Sequence, residues 1–400
     1  MPASPRTARA INDRLALRLL LQEPLTAGQL KERTGLSRPT VADLVERLQD
    51  AGLIQVVGEA GAERRGPNAK LYGIVADIAH LAALDVRTMG VSVVVSDLLG
   101  TVLAEASLPI DETSGTQIAV ERAVALLDET VRSAGVAELH SVGIGAPGLI
   151  DPASGELRDS SGLPAWHRRL VAALQKERPA TVLVENETNL AAVAERRSGA
   201  GRDRDTFVLL WLGHGVGAAV LLDGRLRRGA SGGAGELGFL PVPGTSGLPS
   251  AVDCAGGFHA LASSAAIVRL AAECGVSGPD EAGAGPAGEG VVRAAVEALA
   301  EPHSPRGKAA AGFLDTLADR VALAVAATAA VLDPGCVVLG GEIGCAGGPA
   351  LARRVEERVA ALSPLHTEVR AGELGGGAVL RGALLAAQEA AQEALFPSES

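Results

Sequence analysis

The sequence predicts an α/β protein with a small helical head and a duplicated, two-lobed body. Residues 1–75 contain three helical apolar patterns followed by two short β-branched runs. From residue 76, three closely spaced β-rich runs precede a helix and a further strand, and the same order returns after residue 205. Because each copy can form one sheet covered by helices, we expect two lobes with a cleft between them. The predicted domains are the head at 1–75, a first lobe at 76–200 joined by a C-terminal helix at 378–400, and a second lobe at 201–377.

Composition favours a large intracellular protein over a membrane or secreted one. The 400 residues are 47% apolar, which is enough material for more than one buried core. No run of 18 apolar residues is free of charge, and the first residues lack the apolar stretch of a secretory signal. The four cysteines have no CxxC spacing. We therefore expect a cytoplasmic protein with buried thiols and no membrane partner.

The formal net charge of −11 is unevenly distributed. Residues 1–75 hold 11 basic and 8 acidic side chains, whereas the whole chain holds 36 and 47. A mildly basic head thus precedes an acidic body, and the head is the place to look for a nucleic-acid module.

The helical patterns of the head match a winged helix-turn-helix. Thr26 can cap a second helix, Gly35 supplies the turn, and Ser37 is a favourable N-cap for a third helix. The third helix has apolar residues at i, i+3, i+4 and i+7: Val41, Leu44, Val45 and Leu48. Two short strands, at 53–57 and 71–75, flank a basic loop and would form the wing.

In such a fold the third helix enters the major groove and the wing reaches the neighbouring backbone. The predicted base contacts are Ser37, Arg38 and Thr40, the predicted phosphate contact is Arg47, and the predicted wing contacts are Arg64 and Arg65. The alternative is a three-helix interaction domain whose arginines are only solvated. The helix spacing, the Gly35 turn and the basic wing together favour DNA binding.

Two segments of the body stand out. The segment VLVENETNLAAVAERRSG is a strand that runs into a helix with polar residues at the junction. Residues 275–290, GVSGPDEAGAGPAGEG, have low complexity and are predicted to form a flexible surface loop.

Four body segments behind this head carry a family resemblance. They are GIGAPGLID at 143–151, VENETNLAAVAE at 184–195, the glycine-rich run at 212–239, and VLDPGCVVLGGE at 331–342. Together they resemble the ROK family of repressors, open reading frames and sugar kinases. The resemblance implies an actin/hexokinase-like (RNase H-like) pair of lobes and a sugar in the cleft. It also implies a homodimer or homotetramer with dimerisation helices in the second lobe.

Departures from the kinase pattern predict that phosphoryl transfer is lost. Family kinases resemble one another in an Asp-x-Gly-Gly-Thr phosphate loop, where this chain has Asp85-Val86-Arg87-Thr88-Met89. Their Asn-Asp-x-Asn motif, whose Asp is the catalytic base, is matched by Asn186-Glu187-Thr188-Asn189; the extra methylene moves the carboxylate by roughly 1 Å. His214 replaces a Thr in the second phosphate motif, while the Gly340-Gly341 turn persists. We expect no catalytic residue, with Glu187 as a degenerate base position, and no cofactor.

The zinc motif of family members is also unmatched. Phe239 replaces the ligating His, and Ser250, Val252 and Gly257 stand at the cysteine positions, with Cys254 off-frame. With none of the four ligands present, no metal is expected.

Positions matching the family's sugar contacts identify the candidate ligand-binding residues Asn186, Glu187, Glu236 and His259. Gly162 and Phe239 occupy positions where the kinases hold hydroxyl partners, so a plain hexose would be held less well. Two interpretations of His259 are open. In the first, His259 recognises a phosphorylated, acidic or substituted ligand. In the second, it is a polar residue that only fills the start of a helix. Trp166 is expected to pack in the core rather than to stack on a ligand.

We therefore expect a DNA-binding transcriptional repressor of sugar or secondary metabolism whose degenerate kinase cleft senses a ligand. Its predicted partners are a palindromic double-stranded DNA operator and a sugar or sugar derivative. Lobe closure around the ligand would change the spacing of two recognition helices. The alternatives are a bifunctional regulator with ATP-dependent sugar kinase activity and a constitutive DNA-binding protein with a non-binding cleft.

Overall fold

The computed structural model describes residues 5–60, 69–88, 90–110, 115–158, 164–177, 179–245, 247–250, 256–278 and 285–396. They form a winged helix-turn-helix followed by two α/β lobes, which confirms the predicted fold class. Within these residues no helix has the length and apolar character needed to cross a membrane.

The head is a three-helix unit closed by a small sheet. Its elements are α1 (Pro5–Gln22), β1 (Leu25–Thr26), α2 (Ala27–Thr34), α3 (Arg38–Asp50), β2 (Ile54–Ala60) and β3 (Ala69–Ile74). The antiparallel sheet has the order β1-β3-β2. Thr26 forms a capping box with Gln29, and Gly35 ends α2 at φ +70°, a left-handed conformation that favours glycine. The wing strands extend further into the loop than predicted, and β1 was not predicted as a strand.

The first lobe has one five-stranded sheet of order β6-β5-β4-β7-β8. Its elements are β4 (His80–Arg87), β5 (Gly90–Asp97), β6 (Val102–Pro109), α4 (Thr116–Ser133), β7 (Ser141–Ala146), α5 (Ala165–Glu177), β8 (Thr181–Asn186) and α6 (Glu187–Ser198). The β4-β5-β6 strands are antiparallel, whereas β4, β7 and β8 are parallel.

The second lobe repeats this topology in the order β11-β10-β9-β12-β13. Its elements are β9 (Phe207–Leu212), β10 (Val216–Leu222), β11 (Arg225–Arg227), α7 (His259–Ala262), α8 (Ser264–Glu273), α9 (Ala287–Ala298), α10 (Pro305–Leu332), β12 (Cys336–Gly340), α11 (Gly341–Leu362) and β13 (Glu368–Ala371). Residues 279–284 of the predicted loop lie outside the described residues. The predicted C-terminal boundary of that loop is wrong, because residues 287–290 form the first turn of α9.

The last helix, α12 (Ala378–Leu395), returns to the first lobe and packs on β4, β7 and α6. Two glycines allow this close approach. A Cβ at Gly143 would lie 2.0 Å from the Ala383 carbonyl oxygen, and a Cβ at Gly382 would lie 2.1 Å from the Leu190 carbonyl oxygen. Since such distances are impossible, glycine is required where α12 crosses the sheet and α6.

A carboxylate ties together the two chain crossings between the lobes. Glu195, which is 1% exposed, accepts hydrogen bonds from the backbone N–H of Ala200 at 2.7 Å and from those of Glu373 and Leu374 at 2.9 Å each. Ala200 belongs to the crossing from α6 to β9, and Glu373 belongs to the crossing from β13 to α12. The Glu195 carboxylate therefore holds both connections between the lobes.

The core of the head continues into the body. Leu17, Leu30 and Leu44 share one buried apolar cluster with residues from distant parts of the chain: Leu81 of β4, Leu98 after β5, Ala387 and Ala391 of α12, and Phe396. The head is therefore packed against the first lobe through the C-terminal end of α12.

Candidate functional site: nucleic-acid interface and interlobe cleft

The first turn of α3 presents the predicted base-contact residues to solvent. Ser37 is the N-cap, and its Oγ accepts from the Thr40 N–H at 3.3 Å and lies 2.7 Å from the Thr40 Oγ1. Ser37 and Arg38 are exposed, and Thr40 is half-buried. The Thr40 N–H is capped by Ser37 and Pro39 has no N–H, so it is the positive end of the helix dipole that favours a phosphate here.

The predicted phosphate contact, Arg47, is engaged within the head. Its guanidinium forms ion pairs with Asp13 of α1 and Asp43 of α3. Arg33 is similarly paired with Glu23 at 2.6 Å. A phosphate contact by Arg47 stays a prediction and would require exchange of these partners. Arg64 and Arg65 lie outside the described residues.

The loops at one end of the two sheets meet in a cleft, where Arg87 joins both lobes. Its Nε donates to Asp85 Oδ2 at 2.7 Å, its Nη1 donates to Glu342 Oε1 at 2.8 Å, and its Nη2 donates to the Gly376 carbonyl. Asp85 belongs to β4, Glu342 belongs to the first turn of α11, and Gly376 precedes α12. One guanidinium thus links the first lobe, the second lobe and the last helix. We name these three side chains, Asp85, Arg87 and Glu342, the interlobe clamp.

The interlobe clamp occupies the region where the family resemblance places phosphates. Glu342 Oε2 lies 3.0 Å from the position of a Cβ on Gly213, and Glu342 Oε1 lies 3.2 Å from that of a Cβ on Gly376. The Gly213 N–H donates to the Gly215 carbonyl at 3.1 Å and is not free for a phosphate oxygen. The Glu342 carboxylate lies at the N-terminus of α11, a position that suits an anion. The sequence identified Arg87 only as a residue that replaces a kinase glycine. It did not identify Glu342 as a residue of the site.

The side chain of Asn186 is largely committed to the fold. Its Oδ1 caps α6 by accepting from the Thr188 and Asn189 N–H groups at 2.9 and 3.2 Å, and its Nδ2 donates to the Gly148 carbonyl at 3.0 Å. The second Nδ2 hydrogen is the group it has left to offer a ligand.

Glu187 begins α6 inside the cleft. Burial first, and then the negative charge of Asp85, raise the pKa of its carboxyl to about 8; Arg87 opposes this, while Glu342 and Glu236 add to it. At neutral pH the side chain is therefore mainly protonated and can donate a hydrogen bond.

Glu236 and His259 belong to the second-lobe side of the site. Glu236 is accessible to solvent, yet the cleft walls partly desolvate it and raise its carboxyl pKa. A Cβ on Gly238 would lie 2.2 Å from His259 Nε2, and the rings of Phe239 and His259 meet edge to face at 5.8 Å. Burial lowers the pKa of His259, so at neutral pH its imidazole carries no charge. His214 is exposed.

Trp166 lies in the first-lobe core and is 4% exposed. Its ring meets that of the neighbouring His167 edge to face at 4.3 Å. His167 Nε2 lies 3.2 Å from the Arg87 carbonyl oxygen, so this buried pair supports the end of β4 that carries Asp85 and Arg87.

Some positions of the motifs that the family resemblance identified lie outside the described residues: Met89, Gly162, Val252 and Cys254. In the part of the chain that the structure describes, no group of three His, Cys, Asp or Glu side chains is arranged to hold a metal ion.

A winged helix-turn-helix joined to two matching α/β lobes defines a DNA-binding head on a body of the sugar-kinase type. The chain belongs to the ROK family, whose family model matches residues 82–390, and a MarR family model matches residues 11–65.

The DNA-binding transcriptional dual regulator NagC of Escherichia coli (strain K12) is 28% identical over 242 residues. That alignment spans 58% of each chain, so the match covers little more than half the length of this relative. A solved ROK family transcriptional regulator, a homolog of the E. coli MLC protein, has a TM-score of 0.74 at 22% identity, covering 97% of this chain and 98% of the other. A ROK hexokinase from Thermus thermophilus has a TM-score of 0.60 at 26% identity, covering 78% and 99%.

Proposed function

We propose that this protein is a DNA-binding transcriptional repressor of sugar or secondary metabolism that senses its effector in the interlobe cleft. The observation that carries the proposal is the exposed, N-capped first turn of α3 on a head whose core continues into the first lobe. The similarity to NagC, which is named a transcriptional regulator, supports the same function. A protein that binds chromosomal operators works in the cytoplasm, where we place it.

The operator is proposed to be palindromic and the protein to bind it as a homodimer or homotetramer. A two-fold axis would place two α3 helices in major grooves about one helical turn, ~34 Å, apart. Effector binding would favour one angle between the lobes and thereby change that separation.

An electrophoretic mobility shift on the protein's own promoter region tests DNA binding. We expect salt-sensitive, sequence-preferring binding that weakens about tenfold in Arg38→Ala, a typical loss for a base contact. Arg306→Ala removes an exposed arginine at the start of α10 and serves as the control. Binding without sequence preference, or equal losses in both variants, would contradict the proposal.

The second candidate is a regulator that retains ATP-dependent sugar kinase activity. It is favoured by the Glu187 carboxyl, since a pKa near 8 is suitable for a general base. The interlobe clamp argues against it, because Arg87 and Glu342 fill the phosphate region. We expect no ADP release with a panel of hexoses and hexosamines; sugar-dependent turnover that disappears in Glu187→Gln would establish the kinase instead.

A further inference from the structure

The interlobe cleft is rich in carboxylates. The charged groups that act on Glu187 come from both lobes: Asp85 and Arg87 of β4, Glu342 of α11, and Glu236 of the loop after β11. Counting Glu187 itself, this part of the cleft therefore contains four carboxyl groups and one guanidinium. Even with Glu187 protonated, the charges that remain favour a cation over an anion.

The charge of Arg87 is already balanced by carboxylates. Its Nε, Nη1 and Nη2 each donate to an acceptor, two of which are carboxylates, so three of its five N–H groups are engaged. His259 adds no positive charge, because burial lowers its pKa below the ordinary value. A phosphate ester entering the cleft would meet Glu342 beside Gly213 without gaining a free cation.

Asp85 is a separate indication that the ligand carries hydrogen-bond donors. The residue is 1% exposed, and one carboxylate oxygen receives the Arg87 bond. The other oxygen, Oδ1, is buried and has no hydrogen-bond partner among the residues that the structure describes. A buried, unpaired carboxylate oxygen is costly, and a positive or hydrogen-donating group nearby reduces that cost.

We propose that the effector is an amino sugar whose protonated amine is recognised by the carboxylates of the interlobe cleft, and that sugar phosphates and sugar acids are excluded. This inference rests on the proposed function, since it names the chemical class of that effector. The interlobe clamp is then a specificity device as well as a structural link: it places Glu342 where an anion would otherwise bind.

Recognition of a cation has a measurable consequence at Glu187. Its carboxyl holds a proton at neutral pH because of burial and the neighbouring Asp85, Glu342 and Glu236. A cationic amine beside it reverses this balance, so binding releases a proton to the buffer. A neutral sugar releases none.

Isothermal titration calorimetry on the full chain tests the proposal. Three matched pairs differ only in the amine: glucosamine and glucose, galactosamine and galactose, chitobiose with free amines and cellobiose. We expect at least one amine to bind tenfold or more tightly than its hydroxyl partner. The binding enthalpy of that amine should differ between two buffers of unequal ionisation enthalpy. The difference should correspond to the proton that Glu187 releases to the buffer. Glucosamine 6-phosphate should bind more weakly than glucosamine.

Equal binding within every pair, tighter binding of the phosphate ester, or no binding by any member would overturn the inference. The mobility shift on the same preparation distinguishes this from failure of the proposed function. Sequence-preferring DNA binding together with a negative sugar panel contradicts the ligand class alone, whereas loss of both contradicts the regulator.

Variants identify the responsible carboxylates. Glu187→Gln keeps the side-chain size and is expected to remove proton release, and Glu236→Gln is expected to reduce the amine preference. Glu105→Gln removes the same charge from an exposed position on β6 and should leave both properties unchanged. Circular dichroism verifies that each variant is folded. A preference that survives both cleft substitutions would contradict the assignment.

Discussion

At the scale of single residues, Arg87 shows what sequence reasoning can and cannot find. Comparison of motifs identified position 87 as one of two places where a kinase glycine is missing, and the structure places this residue at the end of β4. The partners of the guanidinium were not predictable, because Glu342 is 255 residues away and Gly376 is 289 residues away along the chain. Long-range ion pairs follow from the packing of two lobes and leave no local pattern.

Arg87→Met is expected to destabilise the protein by about 2 kcal/mol. The change leaves Asp85 and Glu342 without their cation, and such losses are large for buried pairs; the partial exposure of Arg87 reduces the effect. Urea unfolding measures the difference. Arg202→Met, at an exposed arginine whose Glu373 contact is 3.5 Å, should change stability by no more than about 0.5 kcal/mol. Equal effects would show that the interlobe clamp is energetically unimportant.

Glu187 predicts a pH dependence of stability. Its pKa is about 8 in the folded protein, against an ordinary value of 4.5, so between these values the folded state keeps a proton that the unfolded state loses. The free energy of unfolding should therefore fall as pH rises, by up to about 1.4 kcal/mol per unit from this group. Glu187→Gln cannot ionise and should gain stability relative to wild type between pH 5 and pH 8. Urea unfolding profiles that stay parallel over this range would refute the assignment.

At the scale of elements, the sequence best predicted those helix and strand ends that depend on the chemistry of a few neighbouring residues. Ser37 starts α3 as its N-cap, and Gly35 ends α2 in the left-handed conformation, as the residue types predict. The β8 strand and the α6 helix meet at the polar residues of the VLVENETNLAAVAE segment. The strand β1 has two residues and could not be predicted, because it exists only through its pairing with β3.

The packing of α12 on α6 predicts opposite effects for two Gly→Ala changes in helices. Gly382→Ala places a Cβ against the Leu190 carbonyl and should lower stability by about 1–3 kcal/mol. Gly312→Ala, on the exposed side of α10 with nothing within 4 Å of the new Cβ, should raise stability by about 0.5–1 kcal/mol. Thermal unfolding of both variants checks the pair, and a neutral Gly382→Ala would mean that α12 can shift freely.

At the scale of the whole molecule, the duplication of the body was predictable because both copies keep the same order of β-rich runs and helices. The structure shows the same sheet topology twice, with three antiparallel and three parallel strands sharing a central strand in each lobe. The shared core of head and body was not predicted. It combines residues from 16 to 396, and no periodicity within one segment indicates which distant segment covers it.

Phe396 provides a test of communication between cleft and head. The side chain is 4% exposed in the shared core, so Phe396→Ala should cost about 3 kcal/mol of stability. We expect the effector to bind as before, while its effect on operator affinity in a mobility shift is reduced. Leu362→Ala, at a 56% exposed position on α11, should alter neither property. An undiminished effector response in Phe396→Ala would show that the signal takes another route.

The continuous core has a consequence for how such proteins can be recombined. The polypeptide enters the body at residue 76, yet the apolar surface that completes the head comes partly from the last turns of α12 and from Phe396. A head transplanted alone onto another body would lose the part of this apolar cluster that the body supplies, unless the recipient offers a matching C-terminal helix. Exchange of DNA specificity between relatives should therefore succeed when the exposed first turn of α3 is replaced within an intact chain. It should fail when the whole head is exchanged at residue 76.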